Sequence, residues 1–343
     1  MKRRTLLLCF LVGAAVLAYL IHRVGFGALV AEARHTGPMF PVIFASYGLV
    51  YVFNTAAWRV ILGNGEKNGP TLSFWRAYAL FTSGFALNFL TPMLNFGGEP
   101  FRVGAAGRVV GIRKAAGSVL IHNVLRVLSF MFGWVTAFAL ALVLLPASAG
   151  LDTLLTGGML VSGALILLIL AGHRRDLLTR TLNLLQRIPV LRRLGHRLED
   201  RRPALIEIDR QVSDFYHRTP RRFWQALGLE YVSRWVLALE YYLILVSLGQ
   251  HVSFFVAFVI TILGGLITNL LFFFPYEVGS KEGGLFLLFR LFGIPGKLGV
   301  YAGLVDRVRD LAWIALGLLL VWFARPDTGA ASVVPTRAEE QQA

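Results

Sequence analysis

Cysteine and charged residues are both scarce in this 343-residue chain. Its one cysteine, Cys9, lies in the first apolar run, which excludes an internal disulfide and a cysteine-based metal site. Only 15% of the residues are charged, against about 25% in typical soluble domains, and 19 acids face 34 lysines and arginines. This composition cannot supply the polar surface of a soluble protein of this size, so most soluble classes are excluded.

Long apolar runs are what the sequence has instead. Hydrophobic side chains make up 56% of the chain, and its mean hydropathy is +0.64. Because lipid offers no hydrogen bonds to an open backbone, about seven to eight such runs are expected to be membrane helices. The predicted fold class is an all-α polytopic membrane protein, with apolar segments at residues 6–21, 41–62, 74–90, 118–145, 154–171, 224–248, 254–274 and 298–323.

The first segment is interpreted as a signal-anchor helix. The alternative is a cleaved signal peptide, but the run is long and no small-x-small site follows it cleanly. We expect residues 1–326 to form one integral membrane domain, with a basic loop at about 173–222. Residues 327–343 are expected to form a disordered tail.

Charge sets the expected orientation. Residues 173–222 carry thirteen arginines against six acids, which is typical of a cytoplasmic loop, and both chain ends are basic as well. We therefore expect a protein of the cell (inner, cytoplasmic) membrane with both termini in the cytoplasm. Since the basic loop adjoins the bilayer on both sides, attraction to anionic headgroups accounts for it, and no nucleic-acid partner is expected.

A second basic stretch conflicts with simple full crossings. If residues 74–90 crossed the membrane completely, the stretch from Arg102 to Lys114 would fall outside. A re-entrant hairpin removes the conflict, with its turn at 91–100 and its return arm at 101–110. Ten helical residues measure about 15 Å, which is half a bilayer.

The same shape recurs near the end of the chain. A polar turn at residues 275–284 follows an apolar run, and a second short arm covers 285–292. The two hairpins would enter from opposite sides of the membrane. Such a pair is typical of transporters built from inverted repeats, although no residue-by-residue repeat is present.

The last span carries four charges close together, and some of them must lie at membrane depth. The uncharged run 311–324 measures about 21 Å as a helix, short of the ~30 Å hydrocarbon core. The helical spacing places three of the four on one face, and the set is Asp306, Arg307, Arg309 and Asp310. They mark either a pathway or a self-neutralised structural pair.

The span at 224–248 carries a further buried carboxylate. Glu240 lies near its middle and needs a cationic partner or a proton. Glu230 and Arg234, one turn apart, are interpreted as a local pair near the cytoplasmic end. A weaker set can reach the interface by snorkelling, and it consists of His122, Asn123 and Arg126.

The turn of the first hairpin is a candidate anion site. Gly97, Gly98 and a proline precede the first helical turn, and Glu99 and Arg102 bring an acid–base pair into it. A half-helix that starts inside the bilayer aims free N–H groups at its ligand, and with Arg102 these favour an anion such as a phosphate.

The turn of the second hairpin also carries both acidic and basic residues. Glu277, Lys281 and Glu282 surround Gly279. Lys281 can meet a phosphate as a point charge, whereas the carboxylates suit a cationic headgroup or protons. For both turns the alternative is an ordinary polar loop outside the membrane.

These two turns resemble the signatures of the lysylphosphatidylglycerol synthase transmembrane family, which is flippase-like. The first match comprises Asn88, Pro92 and residues 97–102, and the second comprises Pro275, Gly279, Lys281, Glu282 and Gly283, with Arg307 as a looser third. The family often has arginine where Lys281 stands, and an acid near His122 before the arginine matched by Arg126. The resemblance covers nearly the whole chain and implies substrate binding by the residues of both hairpins.

The resemblance implies lipid translocation rather than synthesis, because no soluble aminoacyl-transferring domain follows the membrane region. The expected cargo is an anionic or aminoacylated phospholipid or another lipid headgroup, with no cofactor, no metal and no catalytic residue. The alternatives are a membrane-embedded enzyme and an accessory subunit of lipid or polyprenyl-phosphate-linked glycolipid synthesis. A lipid-synthesising enzyme partner and a homo-oligomer are both compatible with the sequence, and no P-loop for ATP is present.

Overall fold

A computed structural model of the chain describes residues 34, 36–63, 71–90, 97–171, 214–270 and 280–323. These ranges contain helices and no strand, which confirms the all-α prediction. The first apolar segment, residues 173–213 of the basic loop and the tail lie outside the described residues. The nine longer helices are α1 Met39–Ile61, α2 Phe74–Leu90, α3 Gly98–Val110, α4 Ile112–Leu144, α5 Ala149–Ala171, α6 Pro220–Ser247, α7 Phe254–Leu270, α8 Ser280–Leu291 and α9 Gly296–Phe323.

Three of the described helices are long and apolar enough to cross a membrane, namely α1, α4 and residues 149–170 of α5. Helices α6 and α9 have 28 residues each, or about 42 Å, which also exceeds the hydrocarbon thickness. In its middle third, α6 carries Glu230 and Arg234, and α9 carries four charges, at 306, 307, 309 and 310. The chain is therefore a polytopic membrane protein whose longest helices include two with charged centres.

Helix α4 begins six residues before the predicted span at 118. Gly111 has φ +87°, a conformation that favours glycine, and it separates α3 from α4 by a single residue. The chain therefore re-enters a helix at Ile112, and the basic residues Arg113 and Lys114 lie in the first turn of α4 instead of in a loop.

The first predicted hairpin is an antiparallel helix pair. The backbone N–H of Gly98 donates to the side chain of Asn88 at 2.6 Å, and a Cβ atom on Gly98 would overlap the backbone of Gly84. Helix α3 has 13 residues and measures about 20 Å, less than the hydrocarbon core. The return arm is therefore a short helix packed against α2, and its turning inside a bilayer stays a prediction.

Helices α7 and α8 form the second predicted hairpin, which is also an antiparallel helix pair. Gly284 of α8 approaches Ile267 of α7, and Leu285 approaches Gly264, which makes the pair antiparallel. Helix α8 has 12 residues, or about 18 Å. The tips of the two hairpins, 91–96 and 271–279, lie outside the described residues, and with them the predicted site residues Pro92, Pro275, Glu277 and Gly279.

Helix α9 packs against both hairpins. Ser83 of α2 donates to the carbonyl of Gly317 at 3.1 Å, and a side chain on Gly317 would meet the carbonyl of Thr82. Nearer its start, Gly299 leaves room for the backbone of Leu285 in α8. The close approach at both places holds the charged middle of α9 between the hairpins.

Replacing Gly98 by alanine tests the tight crossing of α2 and α3. The new methyl group would overlap the backbone of Gly84, so we expect a loss of about 1–3 kcal/mol of stability, seen as a lower Tm in detergent. Gly104 is the matched control, because it lies in the same helix with open space around it. Its alanine variant is expected to be neutral or about 0.5–1 kcal/mol more stable. Equal Tm values for the two variants would contradict the packing described.

Candidate functional site

The charges of α9 lie near the middle of the helix. Asp306 and Asp310 are ten and fourteen residues from its first residue, or about 15 and 21 Å along an axis of about 42 Å. Together with charged and hydroxyl groups from α6 and α8 they form one group, here called the Asp306 cluster. Its members are Glu240, Tyr241, Lys281, Glu282, Asp306, Arg307, Arg309 and Asp310.

Asp306 joins three helices. Its Oδ2 accepts a hydrogen bond from the Tyr241 hydroxyl of α6 at 2.5 Å and lies 2.9 Å from Nζ of Lys281 in α8. Its Oδ1 lies 3.5 Å from Nη1 of Arg309 in the same helix. Asp306 is 1% exposed, so its site is closed to solvent. There its carboxylate lies between two cations, Lys281 and Arg309.

Arg309 pairs with more than one carboxylate. It forms an ion pair with Glu240 of α6 and another with Asp310 at 2.8 Å. Its guanidinium also stacks 4.0 Å from the ring centre of Tyr47 in α1. The ion pair with Arg309 supplies the cationic partner that was expected for Glu240. Through Glu240 and Tyr47, Arg309 joins α9 to α6 and α1.

A second layer of the Asp306 cluster is partly exposed. Nη2 of Arg307 lies 2.5 Å from Oε1 of Glu282, and Nζ of Lys281 lies 3.9 Å from Asp310. These four side chains are 13–17% exposed, whereas Glu240 is fully buried. The cluster therefore has an accessible rim around a closed centre.

A second buried network, here called the Glu230 cluster, lies in the middle of α6. It consists of Asn54, His122, Glu230, Ser233 and Arg234. Oε1 of Glu230 lies 2.9 Å from Nε2 of His122, and its Oε2 accepts from the Asn54 amide at 3.0 Å. Arg234 completes the network at 3.3 Å from Glu230.

The Glu230 cluster corrects two predictions. Glu230 and Arg234 do form the expected pair one turn apart, but they lie about 15 Å from the start of α6, near its middle, instead of near its end. His122 is fully buried and does not reach the interface. The Glu230 carboxylate contacts Asn54 of α1 and His122 of α4 as well as Arg234 of its own helix. The pair is therefore part of a network that joins three helices.

Arg102 of the first hairpin is buried among aromatic rings. Its guanidinium lies 4.4 Å from the ring centre of Trp58 and 4.6 Å from that of Phe81. It is 4% exposed, and within the described part of the chain its Nε and Nη2 atoms have no hydrogen-bond acceptor. A buried guanidinium with unused donors is suited to an anion.

Glu99 and Arg102 do not form the acid–base pair that the sequence suggested. Oε1 of Glu99 accepts from the Asn88 amide at 3.2 Å, and no ion pair joins it to Arg102 among the described residues. The stem of Arg102 instead passes over Gly84, where a side chain would obstruct it. The first hairpin therefore presents its carboxylate and its cation to different surroundings.

An aromatic layer separates Arg102 from the Asp306 cluster. Phe81, next to Arg102, contacts Tyr51 with ring centres 5.8 Å apart, and Tyr51 contacts Tyr47 at 5.2 Å, next to Arg309. Phe81 also meets the ring of His122 edge-on at 5.4 Å. Arg102 of the first hairpin and Arg309 of α9 thus lie at opposite ends of one aromatic layer.

Sequence reasoning missed the uncharged members of this region. Side chains of α1, α2 and α6 contact the charged groups, and they are Tyr47, Asn54, Trp58, Phe81 and Tyr241. Asn54 in an apolar run was the one visible signal. Arg126 is half-buried, and no group of histidines, cysteines and acids able to hold a metal occurs among the described residues.

Comparison with known proteins gives two matches. A family model described as the lysylphosphatidylglycerol synthase TM region matches residues 6–327. The chain is also similar to the UPF0104 membrane protein MJ1595 of Methanocaldococcus jannaschii, with 22% identity over 316 residues and 88% of each chain covered. No solved structure matches the chain.

Substituting Glu230 by glutamine tests whether the Glu230 cluster stabilises the bundle. The variant leaves the buried Arg234 without its carboxylate, so we expect a loss of about 3–5 kcal/mol, measured by denaturant or thermal unfolding in detergent. Asp214→Asn is the control, since it breaks an exposed pair of the same spacing with Arg218 and should cost no more than about 0.5 kcal/mol. A small effect at Glu230 would mean that the network does not stabilise the fold.

Proposed function

The chain belongs to the lysylphosphatidylglycerol synthase transmembrane family, and from this membership we propose that it is a lipid transporter that moves a headgroup between leaflets. Membership indicates a lipid-related function in the membrane. The proposed cargo is an anionic or aminoacylated phospholipid, and the proposed location is the cell membrane with both termini in the cytoplasm.

The burial of the Arg102 guanidinium is the main support for this proposal. The Arg102 guanidinium is 96% buried, and its Nε and Nη2 atoms find no acceptor among the described residues. It needs a negative partner, because burying an unpaired charge is costly. It lies in the second turn of the short helix α3. A lipid phosphate supplies the charge and can enter from the bilayer while its acyl chains remain there.

The acids of the two short helices extend the proposal to the rest of the headgroup. Glu99 begins α3, and Glu282 begins α8 beside the partly exposed Lys281. Carboxylates suit the amine of an aminoacylated lipid, whereas Lys281 suits a phosphate. A headgroup that carries both charges would therefore find a matching pair of groups at either hairpin.

Reconstitution tests this function. Vesicles that contain the pure protein should move a labelled anionic or aminoacylated phospholipid between leaflets faster than protein-free vesicles. In Arg102→Gln the rate should fall about tenfold or more, because a buried charge-assisted contact contributes on the order of 1.5–3 kcal/mol. Arg108→Gln is the control, since Arg108 is exposed on the same helix and should keep the wild-type rate.

Two results would contradict the proposal. Equal lipid movement with and without protein would exclude transport of those lipids. Loss of a lipid product from a deletion strain, instead of its retention in the wrong leaflet, would favour an enzyme or a subunit of one. Because Arg102 also packs between rings, a Lys281→Gln variant provides a second, less buried position at which headgroup transport should fall.

A further inference from the structure

The Asp306 cluster does not balance its own charge. Arg307 and Glu282 neutralise each other on the rim. The remaining members are three carboxylates, Glu240, Asp306 and Asp310, against two cations, Lys281 and Arg309. With every group ionised, the cluster would carry one uncompensated negative charge in the middle of the bundle, where water cannot screen it.

Among the described residues, no other helix supplies a further cation to Glu240. Helix α1 contributes the uncharged Tyr47, and α9 contributes Arg309 with the two aspartates already counted. Helix α7, which packs against α6, has no charged or titratable side chain in its sequence. Helix α4 brings His122 to α6, but that ring is bound to Glu230. Within the described ranges the excess charge therefore stays in the cluster.

Of the three carboxylates, Glu240 has the fewest contacts that stabilise a negative charge. Asp306 has the Tyr241 hydroxyl and Lys281 at one oxygen, and Asp310 is partly exposed and accepts from Nε and Nη2 of Arg309. Glu240 is fully buried, shares Arg309 with both aspartates, and its Oε1 accepts no hydrogen bond from any described residue. An oxygen in that position is suited to hold a proton.

We propose that Glu240 is a proton-binding site whose occupancy is linked to headgroup binding at Lys281. The inference rests on the proposed transport function and supplies its energy coupling. With Lys281 on Asp306 the cluster already lacks one cation, so Glu240 holds a proton for part of the time. When a lipid phosphate takes Lys281 from Asp306, three carboxylates are left with Arg309 alone, and the proton occupancy of Glu240 rises. When the phosphate leaves, Lys281 returns and the proton occupancy falls, and by linkage each ligand strengthens the binding of the other.

A pH gradient across reconstituted vesicles tests the coupling. Wild-type protein should move labelled anionic phospholipid at different rates under the two gradient directions, by up to about tenfold per unit of pH difference. Glu240→Gln, which keeps the shape of the side chain without the titrating group, should give equal rates in both directions. Asp214→Asn, at an exposed carboxylate outside the cluster, should retain the wild-type dependence.

Infrared spectroscopy of the wild-type protein in lipid discs gives a second readout that needs no transport. In the difference spectrum of wild type minus Glu240→Gln, where the ester carbonyls of the lipid cancel, adding anionic phospholipid should increase the carbonyl absorption of a protonated carboxylic acid, and this band should shift in D2O. A wild-type rate that ignores the gradient, or an unchanged carbonyl band, would overturn the coupling while transport itself stands. If the wild type moves no lipid, the transport function fails, and the infrared band alone decides whether Glu240 binds a proton.

Discussion

The pairing of buried charges around Asp306 is the interaction on which the rest of this structure depends. A carboxylate in the middle of an apolar bundle is costly unless cations and donors surround it, and here they come from α6, α8 and α9. The short helix α8 has few residues with which to hold its place, so the contact of Lys281 with Asp306 fixes its start. The same network joins α1 through the ring of Tyr47.

The first hairpin is held by different means. Gly84 and Gly98 allow α2 and α3 to approach until backbone touches backbone, and Arg102 fills the space between Trp58 and Phe81. One hairpin is thus fixed by ion pairs and the other by close packing and cation–π contacts. The contact of Ser83 with Gly317 places the first hairpin on α9, the helix that also carries Asp306. A headgroup bound at either hairpin would act on the same helix.

The positions of the apolar helices could be predicted from the sequence, because they follow from counting apolar residues against the bilayer thickness. Glu240, in the middle of one apolar run, was expected to need a cation or a proton, and Arg309 supplies the cation. The Glu230 cluster could not be predicted in this way. Its members Asn54 and His122 come from separate helices, and no local spacing reveals which faces meet. Glu99 and Arg102 show the opposite case. Their proximity on one helix suggested an acid–base pair, but packing against aromatic rings holds the guanidinium of Arg102 away from the carboxylate of Glu99.

A density map of the protein in discs of anionic phospholipid would show whether the buried cation of the first hairpin holds a lipid headgroup. We expect phosphate density within hydrogen-bond distance of Nε and Nη2 of Arg102, with acyl chains that leave the bundle between α2 and its neighbours. Density in which protein oxygens occupy both donors of Arg102, with lipid confined to the outer surface of the helices, would contradict it.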